Sequence, residues 1–256
     1  MSDKKEKLYK YLKKRNYLEL EEDISAAAKS AKRKAKRFSA IEEKKNLVNA
    51  IKRFQTFSGL PATGRANKPT IQEIEEPRCG NSSITLAESV LFDALPPRWH
   101  TSNITYGFSR ITLQLPQQDV RRAIEFAFRI WRQAFTDFRF TEVPLAQAPM
   151  INFTFIAGAH GDHQNFSGQD GILGHSFPPN SPVRRGQVHF DDGEVWGLDG
   201  SPSKKDLITV AIHEIGHALG LVEHSLNRDA QMYEKYLRVF RGLDQEDVNR
   251  IVNLYR

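Results

Sequence analysis

Cysteine is almost missing from this chain, with a single residue, Cys79, in 256. One cysteine closes no internal disulfide, so a disulfide scaffold is excluded and Cys79 is either a core thiol or a chemically used one. Long apolar runs are missing too: no stretch approaches the ~18 consecutive apolar residues of a spanning helix. The first 20 residues, MSDKKEKLYKYLKKRNYLEL, hold no apolar h-region, so no secretory signal is expected there. Internal repeats are absent. Over most of the length an excess of either charge is absent as well. The net charge of +6 comes from residues 1–37, where 13 Lys or Arg stand against 6 Asp or Glu, and the remainder balances to −1. Lys29–Arg37 packs six positive charges into nine residues without an aromatic to stack a base, and is read as a solvated helix face rather than a nucleic-acid contact. At 39% hydrophobic and 27% charged, the chain is globular and long enough for one or two domains.

Periodicity divides it. Leu8, Tyr11, Leu12 and Arg15 recur at helical spacing, and Ile41, Leu47, Val48, Ile51, Phe54 and Phe57 predict an amphipathic helix over 41–57 that Gly59 ends. A short helix follows from Pro69 to about Glu76. Residues 22–40 read as a basic insertion and 81–98 as a linker. Beyond Trp99, the alternation Asn103–Phe108 predicts a strand, Val120 to Phe135 a long helix after Pro116, and Val143 with INFTFI (151–156) another strand. Residues 157–203 are loop-rich with two short apolar runs, Ile172–Leu173 and Val188–Phe190, and a loop stretch that long inside a domain is usually functional. Ser203, with Asp206 three residues on, is expected to cap a helix running through Leu219 to Gly220. A last helix spans about 245–254.

The strongest chemical signal is HEIGH, His213 to His217. Positions i and i+4 share a helix face, so both imidazoles can bind one metal ion. Glu214 lies beside them and can take a proton from a water on that metal. Zinc is the ion that supplies the required Lewis acidity. Gly220, His224, Met232 and Tyr233 follow. With them the sequence resembles the matrixins (matrix metalloproteinases), a branch of the metzincin zinc endopeptidases whose pattern is H-E-x-x-H-x-x-G-x-x-H with a later Met-turn. Strict spacing from Gly220 puts Glu223 at the third-ligand position. His224 comes one residue late but is in register with Ser225, Ala230, Met232, Tyr233 and Tyr236 of the family run, while Glu234 replaces the Pro after Met-Tyr. Gly220 ends the helix, so an extra residue can be absorbed there as a bulge. His224 is the expected ligand, with Glu223 the alternative.

The resemblance implies more. PRCG, Pro77 to Gly80, matches the family's cysteine switch, in which a thiolate at the fourth zinc position displaces the nucleophilic water and holds the enzyme latent. The family continues Val-Pro-Asp, whereas this chain reads Asn81–Ser82–Ser83. His160, Asp162, His175 and His189 resemble the structural zinc site, a closed shell of three imidazoles and a carboxylate; His163 has no matching role. Asp191 and Glu194 match calcium ligands, with Ser167 where the family has a loop Asp, Asp170 a substitute, and Gln187 in place of an Asp of a second calcium site.

The implied fold is α+β: a twisted, mostly parallel five-stranded sheet with three helices over 99–256. A small all-helical propeptide similar to peptidoglycan-binding domains precedes it (1–80), with an activation linker between (81–98). Implied too are zinc and calcium as cofactors, protein or peptide substrates approached as an antiparallel strand along 171–177, a specificity pocket shaped by Thr209 and loop 237–242, a monomer and a secreted setting. Four N-x-S/T sequons, at Asn81, Asn103, Asn152 and Asn165, lean the same way. No hemopexin-like domain or collagen-binding insert is seen in the chain, so collagen unwinding is not implied. The rival readings are a catalytically dead, metal-stabilised binding domain, and polyanion or peptidoglycan binding through residues 1–80.

Overall fold

The structure, a computed structural model, describes residues 3–14, 32–81, 97–162 and 164–256. His163 and most of the segments 22–31 and 81–98 lie outside the described residues. The chain forms two compact units, 1–75 and 76–256, so the Pro77–Gly80 peptide groups with the second.

The first unit contains α1 (Asp3–Lys14), α2 (Lys32–Phe57) and α3 (Lys68–Glu75). Leu8, Tyr11 and Leu12 of α1 meet Ala50, Ile51 and Phe54 of α2 and Ile71 and Ile74 of α3 in one apolar core. The Tyr11 and Phe54 rings pack edge to face at 5.2 Å. Gln55 is fully buried at the centre. Its Nε2 donates to Thr70 Oγ1 (2.8 Å) and the Arg65 carbonyl (3.0 Å), and its Oε1 accepts from Gly64 N (2.8 Å). These bonds satisfy the buried amide and tie the turn after α2 to α3. Asn67 caps α3 through Thr70 N. Helix α2 begins nine residues earlier than the apolar period alone predicts, because KRKAKR is built from strong helix formers.

The second unit is a six-stranded sheet in the order β1-β5-β6-β4-β2-β3, with β1 Arg78–Cys79, β2 Asn103–Arg110, β3 Arg139–Glu142, β4 Ile151–Ile156, β5 Ile172–Ser176 and β6 Gln187–Asp191. All pairings are parallel except β5–β6. Five of the strands are those expected of residues 99–256; the sixth is the Arg78–Cys79 strand. The helices are α4 (Gln117–Ala134), α5 (Leu207–Ala218) and α6 (Gln245–Tyr255). The face of α4 that the sequence marks as apolar (Val120, Ala123, Ile124, Ala127, Phe128, Trp131) is buried. It packs against Ile104, Phe153, Phe155 and Phe190 of the sheet and against α5. The Trp131 indole N–H donates to the Ile212 carbonyl (2.8 Å), giving the buried ring a partner and locking α4 to α5.

Two local expectations are corrected. Strand β3 ends before Val143, whose N–H instead bonds the Tyr106 carbonyl (2.8 Å). The cap of α5 is Asp206, not Ser203: Lys205–Asp206 (β8) pairs with Trp196–Gly197 (β7), which keeps the chain extended until Asp206. The Asp206 carboxylate then accepts from Thr209 N (2.9 Å) and Thr209 Oγ1 (2.7 Å).

Candidate metal and catalytic centre

Helix α5 is buried along its whole length. That burial fits its composition, because a helix apolar on all sides belongs in a core. His213 and His217 stand one turn apart on it. Beneath them, a Cβ on Gly216 would collide with the Met232 sulfur and the Trp131 ring, so only glycine lets that methionine and tryptophan reach the helix. The helix ends at Ala218 with Leu219 as its C-cap, and Gly220 follows with a φ of 111° that favours glycine. Chain reversal there carries His224 back over the helix.

The three Nε2 atoms converge: His213 to His217 is 3.1 Å and His217 to His224 is 3.2 Å. His213 Nδ1 lies 2.7 Å from the Gln231 carbonyl and His217 Nδ1 2.7 Å from the Leu221 carbonyl. A carbonyl only accepts, so each Nδ1 carries the proton and each Nε2 presents a bare lone pair. Burial holds the His213 pKa down to about 4, and burial with the neighbouring imidazoles holds His217 low as well. Neutral lone pairs aimed at one point repel unless a cation sits between them. Tetrahedral zinc with Zn–N near 2.0–2.1 Å sets its nitrogens about 3.3 Å apart, close to the spacing found. The Cys79 sulfur lies within 4.8 Å of all three nitrogens and is the fourth donor atom of the group. The residues therefore fit a zinc ion. Of the two candidates for third ligand, His224 stands in this group; Glu223 is exposed and its backbone carbonyl accepts from Arg250.

Glu214, fully buried, lies between that group and β5, within hydrogen-bonding reach of both Cys79 and Ser176. Ser176 Oγ donates to its Oε2 (2.7 Å). Gly174 leaves it room, since a Cβ there would sit 3.2 Å from Glu214 Cγ. Burial raises the Glu214 pKa to about 7, against the hydrogen bonds from Ser176 and Cys79. A carboxyl poised near neutral pH is suited to moving protons in both directions.

The second group holds His160 Nε2, Asp162 Oδ2, His175 Nε2 and His189 Nδ1. Asp162 Oδ2 lies 2.9, 2.8 and 2.9 Å from the three nitrogens in that order. The His175 nitrogen is 3.4 Å from that of His160 and 3.1 Å from that of His189. His160 Nδ1 donates to the Gly158 carbonyl (2.8 Å), which again frees Nε2. Burial pushes Asp162 up, but hydrogen bonds from His175 and Gln164 N–H and the nearby imidazoles outweigh it and keep it ionised. Burial lowers His189 to about 4. This donor set also fits zinc, with all four corners supplied by protein.

Asp191 and Glu194 are buried, and both face the 168–171 loop. Asp191 accepts from Gly168 N (3.2 Å) and Gly193 N (2.8 Å), and Glu194 from Gly171 N (3.3 Å). Burial raises both pKa values. Asp170, the substitute carboxylate, is instead paired with Lys205 Nζ (2.7 Å).

Reading the motifs alone missed Asp247. It is fully buried, and its carboxylate accepts from Gln231 N (2.7 Å), Met232 N (3.1 Å) and Asp244 N (2.9 Å). One side chain thus completes the capping box of α6 and fixes the turn beneath the histidines. The D-Q-E-D spacing held that signal.

Comparison with known proteins places the chain in a family. The family described as Matrixin matches residues 98–256, and the one described as Putative peptidoglycan binding domain matches 44–74. The chain is 34% identical to stromelysin-2 of Rattus norvegicus over 226 residues, 86% of this chain and 45% of that protein. It is 38% identical to interstitial collagenase of Equus caballus over 212 residues (82% and 43%). Neutrophil collagenase of Homo sapiens is 37% identical over 216 residues (82% and 44%). The chain spans less than half the length of these three relatives.

Proposed function

Because the chain belongs to the matrixin family, we propose that it is a latent zinc-dependent endopeptidase that cleaves secreted or matrix proteins, with residues 1–80 as its propeptide. The observation that carries this reading is the placement of Glu214, buried and near neutral pKa, beside three converging imidazoles whose fourth corner is Cys79. His213, His217 and His224 hold the catalytic zinc; His160, Asp162, His175 and His189 hold a structural zinc; Asp191 and Glu194 contribute to a calcium site. Zinc bound there supplies Lewis acidity to the attacking water and the scissile carbonyl. Glu214 takes the proton from that water and later delivers it to the leaving amine. The edge of β5 orders the substrate backbone, and the wall 234–236 confines it.

Latency rests on how that cleft is filled. Arg78 N donates to the Gly171 carbonyl (3.1 Å), Gly80 N to Gly174 (2.7 Å), Cys79 N to Glu234 (3.0 Å), and Tyr236 N to Pro77 (2.8 Å). The peptide occupies both edges that a substrate would use, and it runs parallel to β5. Asn81 extends the pairing with its side chain: Nδ2 donates to the Ser176 carbonyl (3.1 Å) and Oδ1 accepts from Ser176 N (3.1 Å). Its own N–H points to the Cys79 sulfur at 3.4 Å. Asn81 is a clasp absent from the family's Val-Pro-Asp continuation. To test the reading, the zinc-loaded full chain is assayed on a mixed peptide library before and after cleavage between Gly80 and Trp99. Activity that appears only after cleavage is expected. Equal activity before cleavage removes latency, and no activity in a zinc-replete cleaved protein removes the enzyme.

A further inference from the structure

Gln231 stands where the pocket meets the histidines, and it is 5% exposed. Its carbonyl accepts from His213 Nδ1, its N–H donates to Asp247, and its side-chain Nε2 donates to the Thr209 carbonyl at 2.6 Å. The last contact fixes the amide orientation, because a carbonyl cannot donate. That leaves Oε1, which is buried and has no hydrogen-bond partner among the described residues. A buried acceptor left without a donor is costly, and native proteins rarely keep one without a use.

The residue lines a cavity of about 50 Å³ together with Thr209, Val210, His213 and Phe240. Thr209 cannot serve Oε1: its hydroxyl already donates to Asp206 Oδ1 (2.7 Å) and accepts from Phe240 N (3.0 Å). Nor is the wall free to collapse. Arg241 pairs with the buried Asp206 carboxylate and donates to the Leu198 carbonyl (2.6 Å), pinning the 237–242 loop to the cap of α5. A fixed pocket beside the catalytic residues therefore counts Gln231, with its unmade acceptor, among its lining residues.

We propose that Gln231 selects substrates whose side chain in this pocket carries a hydrogen-bond donor, an amide or hydroxyl, over apolar side chains of the same size. The inference rests on the peptidase reading and adds the substrate class. A donor-bearing side chain makes the missing bond when it enters. An apolar one of equal length leaves that bond unmade, and sites of this kind discriminate strongly against the analogue that lacks the donor.

The test uses the zinc-loaded full chain cleaved between Gly80 and Trp99 and a peptide series varied one position at a time on both sides of the cleaved bond. Glutamine and methionine are compared at each position, since they match in length. One position should show kcat/KM roughly tenfold or more in favour of glutamine, and Gln231→Met should reverse that ratio. The ratio within one enzyme preparation is insensitive to the fraction folded. A wild-type ratio at or below one at every position overturns the proposal, as does a ratio that Gln231→Met leaves unchanged. Should Gln231→Met not fold, the wild-type ratio alone decides. No hydrolysis of any peptide overturns the peptidase reading, and with it this inference.

Discussion

The two histidine groups each bring three imidazoles together and differ in the fourth corner. In the group around Asp162, the carboxylate lies under 3 Å from all three nitrogens and is buried with them. It is part of the domain and cannot leave without unfolding the loop. In the group around His213, the fourth corner is a thiol carried on a two-residue strand at the sheet edge. That strand is held by a handful of hydrogen bonds and can be cut away. Beside the second group stands Glu214, buried and raised to about 7. Under the proposed function, one donor geometry is closed for structure and the other is opened for chemistry, and the difference lies in what supplies one ligand and what stands next to it.

Substitutions can break that comparison. Glu214→Ala should have the largest effect on turnover, a loss of about 10²–10⁴-fold, with zinc content unchanged because Glu214 does not belong to the donor group. Turnover retained in a zinc-loaded mutant would place the base elsewhere. His224→Ala should weaken binding of the catalytic zinc by more than about 100-fold, since losing even a partner that only orients a ligand costs about 10–100-fold. Glu223→Ala should bind as wild type does. Competitive chelator titration measures both, and the reverse pattern would make Glu223 the ligand. Asp162→Ala should lose one zinc per chain and about 3–5 kcal/mol of stability, read by metal analysis and denaturant unfolding, while the other zinc stays. Asn81→Val removes two hydrogen bonds worth about 1 kcal/mol each, so basal activity of the uncut chain should rise about tenfold or more.

Acid should separate the groups from the rest of the fold in metal-free protein. His189 and His213 are lowered to about 4, and His217 is lowered too, from an ordinary 6.5. The unfolded chain binds protons there first, so stability present above about 6.5 is lost as pH falls from 6.5 toward 4. Glu214 acts oppositely, since its raised pKa adds stability at low pH that fades as pH rises toward 7. Asp191, Glu194 and Asp247 are raised by burial in the same sense, but the large downward shifts of the three imidazoles dominate, and the melting temperature of the metal-free protein should fall with acidification over that window. Zinc should flatten the dependence by occupying the lone pairs.

Much of this was legible beforehand because it is local. The 3.6-residue period of Val120 to Trp131 and the i, i+4 spacing of HEIGH are both written along one helix. The histidines at 160, 175 and 189 could be grouped only through family resemblance, since their meeting depends on the β5–β6 register, which pairs His175 with His189. What resisted reading depends on tertiary contacts. The cap of α5 moved from Ser203 to Asp206 because β7 and β8 pair. Asp247 and Asn81 look like ordinary polar residues until the elements they fasten are brought against them.

The central claim is that Cys79 is the removable fourth ligand of one zinc and has no counterpart at the other. X-ray absorption at the zinc edge of the uncut, two-zinc chain tests it directly. One sulfur per two zinc ions at about 2.3 Å is predicted, disappearing in Cys79→Ser with both zinc ions retained. A spectrum without sulfur in the wild-type chain, or one unchanged by Cys79→Ser, would contradict the account.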